Sequence, residues 1–242
     1  MKESKKRITG LFLALAMLIA CLPLNPIAAY AAEGDVVINS TNFPDNNFRD
    51  YVKKEFDTDS DNALSQAELD KVKSINVNGK SIRSLKGIEH FKNLTELKCS
   101  SLDLISLDVS NNIKLTKLDC SNNRIAILNL SENKELNELD FSNNHLTSLN
   151  VSNNTALTQL NCSENSLTSL DVSKNTALTE LSCGSNYLKS LDVSNNTALT
   201  KLDCIFNQLT SLDVSKNTAL TEMWCNNNQL TSLDVSNNTA LT

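Results

Sequence analysis

The sequence predicts a mainly β solenoid, a right-handed coil with one parallel sheet, preceded by a small helical cap. Three observations predict it. The tract from Leu157 to Ala177 recurs with a period of 21 residues, in copies starting at Leu94, Leu115, Leu136, Leu157, Leu178, Leu199 and Leu220. A fixed period in this range marks stacked repeats, each burying the open face of the next. Within a copy, apolar residues alternate over a short run and then return at wider spacing, with no stretch long enough for a helix on the return. The 242 residues contain only 5 Gly and 3 Pro, so another residue must build the bends, and Asn recurs in register. A crossover between parallel strands takes the right hand.

The chain begins MKESKKR, followed by a mainly apolar stretch from Ile8 to Leu22 and then Pro23. A cationic head and a short apolar core make a secretion signal, too short for a membrane span. Ala29-Tyr30-Ala31 fits an A-x-A site with cleavage before Ala32, so the signal is expected over 1–31. Leu18-Ile19-Ala20-Cys21 offers a rival reading, a lipobox that would lipidate Cys21 and tether the protein. Either way the protein is expected to be secreted or at the cell surface. Removing the signal takes away four basic residues and one acid, leaving 18 basic against 27 acidic residues. That balance, without a basic block, excludes nucleic acid as an expected partner.

The segment 32–71 is expected to form the cap. Phe48, Val52 and Phe56 lie on one helical face, with Pro44 near its start. Asp57 to Glu68 then reads DTDSDNALSQAE. Carboxylates at Asp57, Asp59 and Asp61, a carbonyl at Ala63, a hydroxyl at Ser65 and a carboxylate at Glu68 set hard oxygen ligands at the spacing that wraps one Ca²⁺. Asn62 stands where such loops carry glycine, and Asn accepts a left-handed backbone. The segment resembles a single EF-hand, and the resemblance implies a weak calcium site of the extracellular kind. The other reading is an acidic turn between two helices, with Ser65 and Glu68 as a capping box.

The solenoid is expected over 72–242. Its first coil, Val72 to Asn93, has 22 residues and points Val72, Ile75, Val77, Ile82, Leu85, Ile88 and Phe91 inward. The copy from Leu178 to Ala198 shows the regular coil. Leu178, Leu181 and Cys183 point inward from a strand, and Leu188, Leu191 and Val193 do so on the return. Position 9 is Asn in six copies (Asn123, Asn144, Asn165, Asn186, Asn207 and Asn228), and Ser194 and Asn196 make the second bend. In the first copy Leu102 replaces that Asn, which predicts an irregular turn.

Cysteine occupies position 6 at Cys99, Cys120, Cys162, Cys183, Cys204 and Cys225, and Phe141 holds it in the third copy. A position that takes Cys or Phe is a buried apolar one. Coils about 4.8 Å apart set these thiols beyond the relaxed disulfide Cβ separation of about 3.8 Å. A ladder of free thiols is therefore expected, and a single inward column forms no tetrahedral metal site.

Positions 3, 5 and 7 are expected to face solvent on the sheet side. They are polar until the last two coils, where Ile205, Phe206 and Trp224 appear with Tyr187 close by. Trp224 is the sole Trp of the chain. Clustered aromatics on a polar face mark a candidate contact site, the alternative being cover by further coils or another domain. The only histidines, His90 and His145, are far apart, and no catalytic set emerges. Leu241-Thr242 opens an eighth copy, so the C-terminal end is expected to be truncated.

The consensus LxxLxCxxNxLxxLxVSxNxx resembles the bacterial leucine-rich repeat. With Cys, Asn and the LDVSxNTAL bend in register, the chain resembles the secreted leucine-rich-repeat proteins of Gram-positive bacteria, the internalin family, strongly over Leu94–Thr242 and fairly over Val72–Asn93. The resemblance implies surface display and binding of host proteins or glycans. The expected EF-hand-like cap, and the expectation that residues 1–242 carry no wall-anchor motif, set the chain apart from that family. The expected function is an exported, non-enzymatic binding or adhesion module that uses its sheet face. A structural stalk, or an accessory array presenting a further domain, is the alternative.

Overall fold

The computed structural model of the protein describes residues 34–242. The expected signal, with its cleavage motif and Cys21, lies outside the described residues. The cap begins with strand β1 (Val36–Val37), helix α1 (Asn46–Phe56), strand β2 (Ala63–Leu64) and helix α2 (Gln66–Lys71). The solenoid strands are β3 (Ser74–Asn76), β4 (Glu96–Lys98), β5 (Lys117–Asp119), β6 (Glu138–Asp140), β7 (Gln159–Asn161), β8 (Glu180–Ser182), β9 (Lys201–Asp203) and β10 (Glu222–Trp224). These eight form one parallel sheet in chain order. A single 3-10 turn, Ile88–His90, lies on the return of the first coil. No helix of the described residues is long and apolar enough to cross a membrane.

Register follows the period. Leu118 pairs with Leu139, and Leu160 with Leu181, at a shift of 21, whereas Ile75 pairs with Leu97 at the 22 residues of the first coil. A one-residue slip would turn the core leucines to solvent, so the repeat pins the register. Leu178, Leu181, Cys183, Leu188, Leu191 and Val193 are all buried, as the spacing predicts. Five of the cysteines are buried and free; Cys225, in the last coil, is half-buried, which corrects the expectation of six buried thiols. Burial raises each thiol, Cys162 to about 12.

Two asparagine ladders hold the bends. At position 9, Asn186 donates through Nδ2 to the carbonyls of Cys162 (3.0 Å), Cys183 (3.1 Å) and Gly184 (3.2 Å), and its Oδ1 accepts from Leu167 N (3.0 Å). At position 19, Asn196 donates to the carbonyls of Val172 (3.0 Å) and Asn175 (2.8 Å) in the preceding coil. The second ladder is as buried as the first, although its residue type alone suggested only a bend. A Thr row adds to it: Thr179 Oγ1 donates to the Thr158 carbonyl at 3.0 Å.

The first copy has the irregular turn that Leu102 predicts. Ser101 and Asp103 both take a left-handed backbone, where each later coil has one such residue. That fold of the chain brings Leu102 N and Leu104 N onto one acceptor, Asn123 Oδ1, at 3.2 and 2.9 Å.

The cap seals the N-terminal end of the coil stack. Asp45 caps α1 by accepting from Phe48 N at 3.0 Å, while its other oxygen accepts from Arg83 N at 2.8 Å in the first coil. Phe43, Phe48 and Phe91 are fully buried together, and Phe56 stacks edge-on to Phe91 at 5.3 Å. Gly87 (φ 107°) is required here, because a Cβ would collide with the Phe43 ring.

Candidate functional site

The sheet face forms a shallow groove of about 330 Å³ lined by Glu96, Lys98, Lys117, Asp119, Glu138 and residues of the next strands to Glu180 and Ser182. Positions 3 and 5 face it, since alternate residues of a strand share a face. Position 7 departs from expectation. Ser121 and Gly184 are buried and the remaining serines half-buried, because this residue lies where the strand bends away. Ser121 Oγ donates to Asp119 Oδ1 at 2.7 Å.

The candidate contact residues sit at the last coils. Tyr187 is 53% exposed, Phe206 54% and Trp224 46%. Ile205 is half-buried. Trp224 ends β10 and pairs in register with Asp203 of β9. Two features of these coils go beyond what the sequence identified. Position 8 is left-handed in every regular coil, and in the sixth copy it is Phe206 (φ 51°). Asn or Ser fills that position in most other copies, and a bulky side chain there carries backbone strain. Ile205 leans across Gly184 of the neighbouring coil: a Cβ on Gly184 would lie 2.9 Å from Ile205 Cγ1 and 3.2 Å from Asp203 Oδ1. The first four copies carry Ser at that place and the last carries Asn226, so Gly184 and Ile205 depart from the repeat as a matched pair. The recurring Asn at position 8, in Asn122, Asn143 and Asn227, is the signal that would have shown Phe206 to be strained.

A second exposed apolar group had no counterpart in the sequence reading. Ile105 and Ile127, at positions 12 and 13 of the first two copies, are 72% and 82% exposed. The later copies carry Thr-Ser or Lys-Ser there.

In the cap loop, Asp57, Asp59 and Asp61 each offer a carboxylate oxygen within 4.8 Å of the others. Asp57 is fixed by two backbone donors, Asp61 N (3.2 Å) and Asn62 N (3.1 Å), and Asp61 accepts from Ala63 N at 2.8 Å. Asn62 takes the left-handed backbone (φ 67°) expected at the sixth place of the loop. Ala63 and Leu64 form β2, which pairs antiparallel with β1 through Val37 and Val36. Ser65 is the N-cap of α2 and Glu68 completes a capping box with it. Glu68 accepts from Thr58 N (2.6 Å) and Thr58 Oγ1 (2.7 Å) on one oxygen, and from Ser65 N and Ser65 Oγ (both 2.9 Å) on the other. Burial raises its pKa, but these four bonds to Thr58 and Ser65 together outweigh it and hold the carboxyl at about 2. The loop thus converges three aspartates, while Glu68 closes the loop onto α2 outside their cluster.

The stacked coils, the single parallel sheet and the Asn-built bends define a leucine-rich-repeat protein. It is an internalin-like one. Internalin J of Listeria monocytogenes serotype 4b (strain F2365) is 35% identical over 36% of this chain and 13% of that protein. The solved functional domain of InlJ from Listeria monocytogenes, described as including a cysteine ladder, is 32% identical, covers 88% of this chain and 57% of that one, and superposes with a TM-score of 0.55. Internalin C2 of Listeria monocytogenes str. 4b F2365 shares the fold, with a TM-score of 0.80 at 22% identity over 88% of this chain and 97% of that one. The chain therefore spans little more than half of the InlJ domain and a small part of the curated relative. No family model matches the chain.

Proposed function

We propose that the protein is an exported, non-enzymatic binding module that recognises a protein partner through its sheet face, with Trp224, Phe206, Ile205 and Tyr187 as the anchoring corner. The observation that carries this reading is Phe206. A half-exposed aromatic in a left-handed backbone carries strain that an Asn there would not, and such strain concentrates at functional positions. Its neighbours strengthen the reading, since the Gly184–Ile205 exchange and Trp224 alter the same corner of an otherwise polar face. Export rests on the segment 1–31, with secretion or surface display as its outcome.

The test measures partner capture and melting temperature together on the mature protein. Trp224→Ala and Phe206→Ala weaken capture far more than Glu138→Ala and Lys117→Ala, with aromatic anchors typically worth about 2 kcal/mol or more when buried by a partner. If the two aromatics serve only as intramolecular cover, both changes lower the melting temperature and leave capture per folded molecule unchanged.

We also propose that the cap loop binds one Ca²⁺ through Asp57, Asp59 and Asp61 with the Ala63 carbonyl, Ser65 and Glu68 completing the loop as outer support. Three convergent carboxylates and a left-handed Asn62 favour this reading. The ion would offset the mutual repulsion of the aspartates and fix α1 against α2. Calorimetry on the mature protein should show calcium heat at up to several millimolar that Asp57→Ala abolishes; no heat in the wild type removes the proposal.

A further inference from the structure

The charges on the sheet face do not balance, and their arrangement says what kind of segment the face accepts. Its three lysines are each spent on a neighbour: Lys98 pairs with Glu96 at 2.9 Å, Lys117 with Glu138 at 2.6 Å and Lys201 with Glu222 at 3.3 Å. Asp119, Asp140, Glu180 and Asp203 share the face and form no ion pair among the described residues; Lys98 stands in register with Asp119 and Lys201 with Glu180, which leaves Asp140 and Asp203 the acids without a lysine opposite. Asp203 stands in direct register with Trp224 on the adjacent strand. Strands lie about 4.8 Å apart, so the carboxylate and the indole stand side by side, and one cationic group laid on the face can meet both. An aromatic face beside a carboxylate is the arrangement that binds an ammonium or guanidinium group by ion pairing and cation–π attraction together.

We infer that the face accepts a basic, extended peptide segment of a partner protein, with one Arg or Lys side chain resting over both Asp203 and Trp224. The inference rests on the sheet face being the contact surface. The spacing of the acids agrees with it. Asp140 of β6 and Asp203 of β9 are three strand intervals apart, about 14 Å. An extended chain rises about 3.3 Å per residue, so two basic residues four positions apart span about 13 Å on one side of the segment. A neutral or acidic segment gains nothing from this row and pays to desolvate it. Ile205, braced over Gly184, closes the apolar side of the same corner.

Trp224 is the only Trp of the chain, so its emission reports occupancy of this corner directly. The probe is hexa-arginine amide added to the mature protein at low salt, with hexa-citrulline amide as the uncharged match and maltohexaose as a neutral oligosaccharide. Hexa-arginine shifts Trp224 emission saturably, and raising the salt weakens it. Asp203→Asn weakens it at least fivefold and Asp140→Asn at least twofold; each keeps the Oδ1 that accepts from its own backbone, Ile205 N for Asp203 and Ser142 N for Asp140. The double variant Asp192→Asn/Asp213→Asn removes two exposed carboxylates from the return side and changes binding less than twofold. The inference is overturned by no saturable shift, by an equal response to hexa-citrulline, or by equal weakening in the return-side variant. A shift by maltohexaose in place of hexa-arginine also overturns it, while leaving the sheet face as the contact surface. Loss of partner capture in Trp224→Ala, with no hexa-arginine shift in the wild type, separates the two in the same way.

Discussion

Removing one amide from the position-9 ladder gives the sharpest prediction about the fold. In Asn186→Ala the carbonyls of Cys162 and Cys183 keep a partner, because Asn165 donates to the first at 3.2 Å and Asn207 to the second at 3.0 Å. The Gly184 carbonyl keeps Glu164 N at 2.9 Å. Leu167 N, in contrast, loses its acceptor inside the core. One orphaned buried donor costs about 1–3 kcal/mol, and each weakened carbonyl adds about half a kcal/mol. The expected loss is about 2.5–4.5 kcal/mol, read from urea unfolding of the mature protein. Asn186→Asp separates the donor from the acceptor role. It still accepts from Leu167 N, but at neutral pH its carboxylate faces three carbonyls with nothing to donate and is buried as a charge. It should be less stable than Asn186→Ala at pH 7 and recover as acid protonates it. A loss under about half a kcal/mol in Asn186→Ala, or an Asp variant as stable as wild type at pH 7, would refute the reasoning.

Other expectations follow from the same contacts. Glu68 has a folded-state pKa depressed to about 2 from 4.5, so its contribution is complete above about pH 4.5 and disappears as pH falls toward 2. Glu68→Gln should lower stability at pH 7 and flatten that acid limb of the urea midpoint against pH; an unchanged limb contradicts the assignment. Gly184→Ser presses on Ile205 and should cost about 1 kcal/mol, and Ile205→Ser should relieve it in the double variant. A cycle showing additivity, with no coupling of about half a kcal/mol or more, would remove that pairing. Thiol titration of the native protein should find Cys225 first and the other five only after unfolding, since burial raises their pKa values; early reaction of Cys162 would contradict the ladder.

Much of the fold was legible because one coil repeats. Leu181, Cys183 and Leu188 needed only the period and the alternation to be placed in the core, and Leu102 announced the double left-handed turn beside it. What stayed hidden depends on coordinates between coils. Asn196 reads as a turn residue, yet its amide is buried because the preceding coil presents two carbonyls at that height. Glu68 reads equally as a ligand and as a cap, and only Thr58, ten residues away, decides where its oxygens go. The contact corner was visible as composition, in Trp224 and Phe206. Its strain and its Gly184–Ile205 fit were not, because both arise between residues 21 apart.

The claim that the last coils carry aromatic residues for a partner is tested most directly by Phe206→Asn. Asn suits the left-handed backbone at φ 51°, and the change should stabilise the protein by about 0.5–1 kcal/mol. For a domain of this size that is about 1–4 °C in melting temperature. The account predicts a higher melting temperature together with weaker partner capture. A lower melting temperature with capture unchanged per folded molecule would contradict it.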